Sequence, residues 1–287
     1  MNDTVTALVT GLDRRMSYAA EALTAKAKVF GYGLSFTPEN VTAVGSPDEL
    51  SGSADLILLP MMNSCGSRIP TELGKVSLRE IALAAKPEAL AAGGLIPDAA
   101  AEELASLGLR TADYFRSEEL QIKNALLTAE GALSVIASQS DEVICGMSIL
   151  VTGWGRVAKA CAKLFAAVGA RVTVAARKPS ALAEAGCLGL DTVLLTELAD
   201  RAEKYRVIVN TVPAPVISAE VIRRTQRNCL IVDLASRPGG TDATACAVCG
   251  RNFVHALALP GKYAPKTAGG IVAETVIDMF EKYRSAP

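Results

Sequence analysis

Ser148-Ile149-Leu150-Val151-Thr152-Gly153-Trp154-Gly155-Arg156-Val157-Ala158 is the stretch on which the reading of this chain turns. Its first five residues are a β-branched, apolar run of the kind that forms a buried parallel strand. The Gly-x-Gly-x-x-Ala that follows opens a helix running through Phe165. Gly153 permits the tight turn, Gly155 removes a side chain where a pyrophosphate must approach the backbone, and Ala158 lets helix and strand pack closely. Trp154, Arg156 and Val157 complete the turn, and the amino end of the helix offers N–H groups and a positive dipole end to phosphate. A second strand, Arg171-Val172-Thr173-Val174-Ala175-Ala176, follows at the spacing of a βαβ unit. An NAD-binding unit carries Asp or Glu at the end of that strand, on the ribose hydroxyl. Here Ala176 is followed by Arg177 and Lys178. An acid would repel a 2′-phosphate and this pair would attract one, so the residues point to NADP(H).

Around this unit the chain reads as α/β throughout. Its 287 residues suit two domains better than one core, and alanine supplies much of its apolar half. Strand-like runs at Thr4 to Thr10, Lys28 to Gly31 and Asp55 to Pro60 alternate with helical spacing at Met16 to Lys26, Leu78 to Ala85 and Ala99 to Leu107. Weaker strands fall near Ala89 to Ala92 and Leu109 to Asp113. This half has no phosphate fingerprint, since Gly11 stands without a second turn glycine. Residues 1–117 therefore read as a substrate or lid domain. Ser117-Glu118-Glu119 caps a long helix over residues 118–140, a natural connector, and residues 141–268 form the cofactor domain. A C-terminal helix over 269–287 is expected to pack back onto the first domain. The fold class is two open parallel-sheet, Rossmann-like domains joined by a long connector helix.

Composition excludes several classes. The formal net charge is −1, with cations spread along the chain, so no basic face for nucleic acid is expected. No apolar run reaches bilayer-spanning length, and the start of the chain, with Asp3, Arg14 and Arg15 around a short strand, lacks the core of a signal peptide; a cytoplasmic protein is expected. The seven scattered cysteines read as reduced thiols. Cys246-Ala247-Val248-Cys249 has half the spacing of a zinc site but no second pair, and His255 is the chain's only histidine, so no metal is expected. His255 itself, in an apolar strand, reads as a hydrogen-bonded structural residue.

Three segments fall at the carboxyl ends of strands in the cofactor domain, where open α/β sheets bind ligands. Asn210-Thr211-Val212-Pro213 can lie along the ribose and nicotinamide. Asp233-Leu234-Ala235-Ser236-Arg237-Pro238-Gly239-Gly240-Thr241 brings Arg237 to the hydride-transfer position, and Leu259 to Gly269 brings Lys262 and Lys266. Cations there suit a substrate with carboxylates, with Arg237 and Lys266 as anchors. Arg237 could instead pair with Asp233 or Asp242 and merely shape its loop. Lys266, Tyr263, or water held by Asn210 or Ser236 are the options for proton transfer.

The Asp233 to Asp242 run, the Pro260-Gly261 and Ala264-Pro265-Lys266-Thr267-Ala268-Gly269 runs, Thr128-Ala129-Glu130-Gly131 and the Gly153 turn together resemble the family of the dipicolinate synthase A subunit. This is the NADP-linked subunit of the enzyme that makes pyridine-2,6-dicarboxylate in spore-forming bacteria. The resemblance implies oxidation of dihydrodipicolinate, or of its hydrated precursor after loss of water, to dipicolinate with NADP+ as acceptor during sporulation. It also implies a flavoprotein-like B subunit as partner in a heteromeric, oligomeric enzyme. Trp154 departs from the small aliphatic residue usual in the turn, and Met61-Met62-Asn63-Ser64-Cys65-Gly66 fits the family's small polar loop only loosely. A noncatalytic NADP-binding regulatory or scaffold subunit is the rival reading. So is an oxidoreductase like alanine dehydrogenase; that enzyme and S-adenosylhomocysteine hydrolase share the two-domain layout but use NAD, against which Ala176 argues.

Overall fold

The computed structural model describes residues 4–63 and 66–285 and divides the chain into two compact units. One runs to Asn124 and resumes at Ala264; the other is Ala125–Tyr263.

The first unit contains β1 (Thr6–Thr10), α1 (Arg14–Leu23), β2 (Lys28–Tyr32), β3 (Thr42–Val44), β4 (Ala54–Met61), β5 (Arg68–Thr71), β6 (Gly74–Ser77), α2 (Leu78–Ala82), β7 (Ala85–Gly94), α3 (Asp98–Ser106), β8 (Arg110–Asp113) and the start of α4 (Glu118–Gln139). Six strands form a parallel sheet in the order β3-β2-β1-β4-β7-β8, and β5 and β6 make a separate antiparallel hairpin. The sequence pattern does not foretell that hairpin. It is held by long-range backbone bonds, Leu12 N–H to the Pro70 carbonyl at 3.1 Å and Glu72 N–H to the Gly33 carbonyl at 3.0 Å, which no local pattern announces. The helix expected at Leu78 to Ala85 stops at Ala82, and β7 takes over from Ala85. At the head of α1, Asp13 caps the Arg15 N–H at 2.9 Å and binds the Arg15 guanidinium, so this amino end is closed by its own carboxylate.

The second unit contains the rest of α4, then β9 (Ser148–Thr152), α5 (Arg156–Ala167), β10 (Arg171–Ala176), α6 (Pro179–Cys187), β11 (Asp191–Leu194), α7 (Leu198–Arg201), β12 (Val207–Asn210), α8 (Ala219–Arg224), β13 (Leu230–Asp233), α9 (Ala243–Val248), β14 (Asn252–His255) and α10 (Leu259–Tyr263). Its parallel sheet has the order β11-β10-β9-β12-β13-β14. The two sheets thus share one strand order without sharing a sequence repeat. Helix α5 buries Ala158, Cys161, Ala162 and Phe165 against Ile149 and Val151 of β9, the close helix-on-strand packing for which a small residue at 158 is needed.

The chain returns to the first unit in α11 (Pro265–Ser285). This corrects the reading of Leu259 to Gly269 as one loop and of a C-terminal helix beginning at Gly269. Proline is at home at the first helical position, and Gly269 is needed inside the helix because α1 comes so close to it. A Cβ on Gly269 would lie 2.6 Å from the Arg15 carbonyl and 2.7 Å from the Tyr18 Cβ. Val272, Ala273, Val276 and Phe280 then join Met16, Ala19, Ala20 and Leu23 in a common core.

Candidate functional site

The β10-β9-β12 arrangement makes β9 the switch point, from which the chain turns first to one side and later to the other, and crevices at such points take ligands. Gly153 follows β9 with φ at +89° and donates its N–H to the Ala175 carbonyl at 2.8 Å, a left-handed turn that a side chain would strain. A Cβ there would also crowd Thr211 Oγ1 at 2.9 Å and Val212 at 3.0 Å. Gly155 is the N-cap of α5 and no side chain caps that helix. A Cβ built on Gly155 meets nothing within 4 Å. The amino end of α5 therefore faces open space of the kind an anion fills. Arg156 is exposed, Val157 half-buried, and the Trp154 ring lies 5.6 Å from the Lys159 ammonium.

At the end of β10, Ala176 is buried while Arg177 and Lys178 are exposed. Neither cation is in an ion pair among the described residues. Lys178 is the N-cap of α6 and no side-chain cap is made there, so a second helix amino end opens beside the pair. The first acid after Ala176 is Glu184, and it binds Lys159 at 2.6 Å. Lys159 holds the Glu184 carboxyl below the usual carboxylate range.

Three strand ends meet in one buried polar network. Asn210 donates to Asp233 at 2.8 Å and to the Val212 carbonyl at 3.0 Å; it accepts from the Thr152 hydroxyl at 2.6 Å and from the Val212 N–H at 3.1 Å. Both donors and both acceptor sites of the amide are thus used, which corrects the expectation that Asn210 holds a water. Asp233, 1 % exposed, also accepts from the Ala235 N–H at 3.0 Å and the Gly240 N–H at 2.8 Å. Gly240 packs so tightly that a Cβ would lie 2.3 Å from the Val212 carbonyl and 2.6 Å from Asn210 Nδ2. Thr211 bonds the Thr152 carbonyl at 2.7 Å, and Leu234 donates its N–H to the Asn210 carbonyl at 2.8 Å. Sequence reasoning missed Thr152 and Asp233 as members of the site, although an aspartate ending an otherwise apolar strand is a signal.

Ser236, Arg237 and Pro213 are exposed. Arg237 has no ion pair among the described residues: Asp233 is occupied by three N–H groups, and Asp242 caps α9 through the Ala245 N–H at 2.8 Å. His255 bonds the Ala235 carbonyl through Nε2 at 2.8 Å and so braces the same loop. Lys266 is exposed in the first turn of α11, in the first unit, rather than on a loop after β14. Ser64 and Cys65 of the loosely fitting loop, and Asp3, lie outside the described residues. Among the described residues no cluster of His, Cys, Asp and Glu fits a metal ion, and no helix is long and apolar enough to cross a membrane.

This fold and this turn define an α/β protein with a nicotinamide-dinucleotide-binding unit. Residues 124–244 match the family model of the S-adenosyl-L-homocysteine hydrolase NAD-binding domain. The chain is 32 % identical over 235 residues to the dipicolinate synthase A subunit of Bacillus subtilis, covering 80 % of this chain and 79 % of that one. The structure is similar to that of the dipicolinate synthase A subunit from Bacillus halodurans, at 26 % identity with a TM-score of 0.86 over 99 % of this chain and 98 % of that one. It is equally similar to the solved structure of the Bacillus subtilis protein, at 27 % identity, again with a TM-score of 0.86 and coverage of 99 % and 98 %. The chain belongs to the family of dipicolinate synthase A subunits. It is a dehydrogenase-like subunit that takes a nicotinamide cofactor.

Proposed function

We propose that this chain is the NADP-dependent oxidoreductase subunit of a two-subunit dipicolinate synthase, oxidising dihydrodipicolinate, or its hydrated precursor after loss of water, to dipicolinate. The observation that carries this is the pairing of family membership with a second strand ending in Ala176-Arg177-Lys178, whose next acid, Glu184, is already bound to Lys159. The open space at Gly155 and the uncapped amino end of α5 suit the pyrophosphate, while Arg177, Lys178 and the amino end of α6 suit the 2′-phosphate. Thr211, Val212, Pro213 and Leu234 follow the strand ends toward the nicotinamide side. Bound NADP+ supplies the hydride acceptor.

The substrate loses one hydride from a ring carbon and one proton, and the gain of aromaticity drives the step. The protein has to hold the dicarboxylate and take up that proton. Arg237 offers a fork for a substrate carboxylate. Ser236 or Tyr263, relayed to solvent, takes the proton. The partner is the flavoprotein-like B subunit. The test is to mix the purified chain with the dihydropyridine dicarboxylate and NADP+, with and without that partner, and follow the absorbance of the reduced nicotinamide. Growth with the chain alone is the expected result. No growth without the partner would assign the chemistry to it, and growth with NAD+ in preference to NADP+ would overturn the cofactor assignment.

A further inference from the structure

We propose that Thr152, Asn210 and Asp233 form a positioning centre that ties the three loops at the carboxyl ends of β9, β12 and β13 into one body, and so sets the alignment of nicotinamide and substrate without binding either. The inference rests on the cofactor reading above and adds to it the residues that fix the reactive half of the site. Each member is buried and each ends a different strand: β9 at Thr152, β12 at Asn210, β13 at Asp233. Asn210 is the hinge pin, with one side of its amide bonded to Thr152 and the Val212 N–H and the other to Asp233 and the Val212 carbonyl. Asp233 accepts three N–H groups and has no cation beside it among the described residues, so its charge is spent on fixing Ala235 and Gly240, which bracket Ser236 and Arg237. Gly240 is pressed onto the Val212 and Ala214 carbonyls at 2.3 and 2.4 Å from a notional Cβ, so the loop carrying Arg237 moves only if the 211–214 loop moves with it. Gly155 and Arg177 themselves make none of these hydrogen bonds; the network reaches the β9 turn only through Thr152. A fault in the centre should therefore appear in turnover and leave affinity intact, since small misalignments of reacting groups cost rate steeply.

Thr152→Val removes the hydroxyl at constant shape and Thr152→Ser restores it. Asp233→Asn turns one acceptor of Ala235 or Gly240 into a donor facing a donor. Affinity for NADPH is read from energy transfer out of Trp154, the chain's one tryptophan, and the hold on the nicotinamide from the emission lifetime of bound NADPH. Thr152→Val is expected to lower kcat per bound cofactor by at least about tenfold, with NADPH affinity within about threefold and a lifetime drifting toward that of free NADPH. Thr152→Ser is expected to recover both, and Asp233→Asn to fall further if it folds. A Thr152→Val protein that melts earlier but keeps its kcat and NADPH lifetime would reduce the network to a structural role and overturn the proposal. Absence of any energy transfer in the unmodified chain would instead overturn the cofactor reading beneath it.

Discussion

Replacing Arg177 and Lys178 together by alanine tests the cofactor assignment most directly. Both side chains are exposed and unpaired by acids among the described residues, and Lys178 caps α6 with no side-chain bond, so their loss removes no internal contact. Two cations beside the positive end of α6 repel it, so their removal should leave stability unchanged or raise it by about 0.3–1 kcal/mol. The effect on binding is another matter. A charge-assisted contact to a phosphate is worth about 1.5–3 kcal/mol, and about 1.4 kcal/mol is a factor of ten. Two such contacts, discounted for solvent screening at an exposed site, give a preference for NADPH over NADH of between about ten- and a hundredfold. Trp154, set between the two turn glycines, serves as donor in titrations with either reduced cofactor. The double variant should bind NADPH and NADH nearly alike, with NADH affinity unmoved, and added salt should narrow the gap in the unmodified protein. Equal affinities in the unmodified chain, or a ratio untouched by the double replacement, would refute the reasoning.

Gly155→Val should fold with an unchanged melting temperature, because its backbone is ordinary extended conformation and the space beyond its Cβ is empty, yet lose NADP(H) binding in the same titration; normal binding would move the site elsewhere. Arg237→Lys keeps the charge and loses the fork, so turnover of the dicarboxylate should fall by more than about tenfold at unchanged NADPH affinity, and unaltered substrate kinetics would remove Arg237 from the site. Burial pushes the thiols of Cys161 and Cys229 up to about 12 and that of Cys246 up to about 11, so at pH 8 a soluble alkylating reagent, followed by peptide mass, should modify exposed Cys145 and Cys187 well before these three. Because the folded state holds these thiols neutral, their contribution to stability is whole below the unfolded value near 9 and declines from there toward pH 11 to 12; flat stability across that window in urea titrations would contradict it.

How much was legible follows from sequence distance. The Ser148 to Lys178 unit is written in adjacent residues whose strand, turn and helix are each locally favoured, and it stands in the structure as read. The Asn210–Asp233 bond joins residues 23 apart, and the donors that saturate both side chains are mostly backbone N–H groups with no sequence signature. The residues were visible and their satisfaction was not. The Pro265 to Gly270 segment misled for a physical reason: paired glycines lower helix propensity, but the packing of α1 against Gly269 outweighs it.

The two sheets share a strand order, and each begins with a strand, a glycine with positive φ and a helix. They differ in who occupies the head of that helix. In the first unit the carboxylate of Asp13 sits there, bound to Arg15, and Pro60 crowds Gly11 to 3.0 Å of a notional Cβ; in the second the place is open. Two frames with one strand order thus treat an anion differently at the same place: the first meets it with the chain's own carboxylate, the second with uncapped N–H groups and open space.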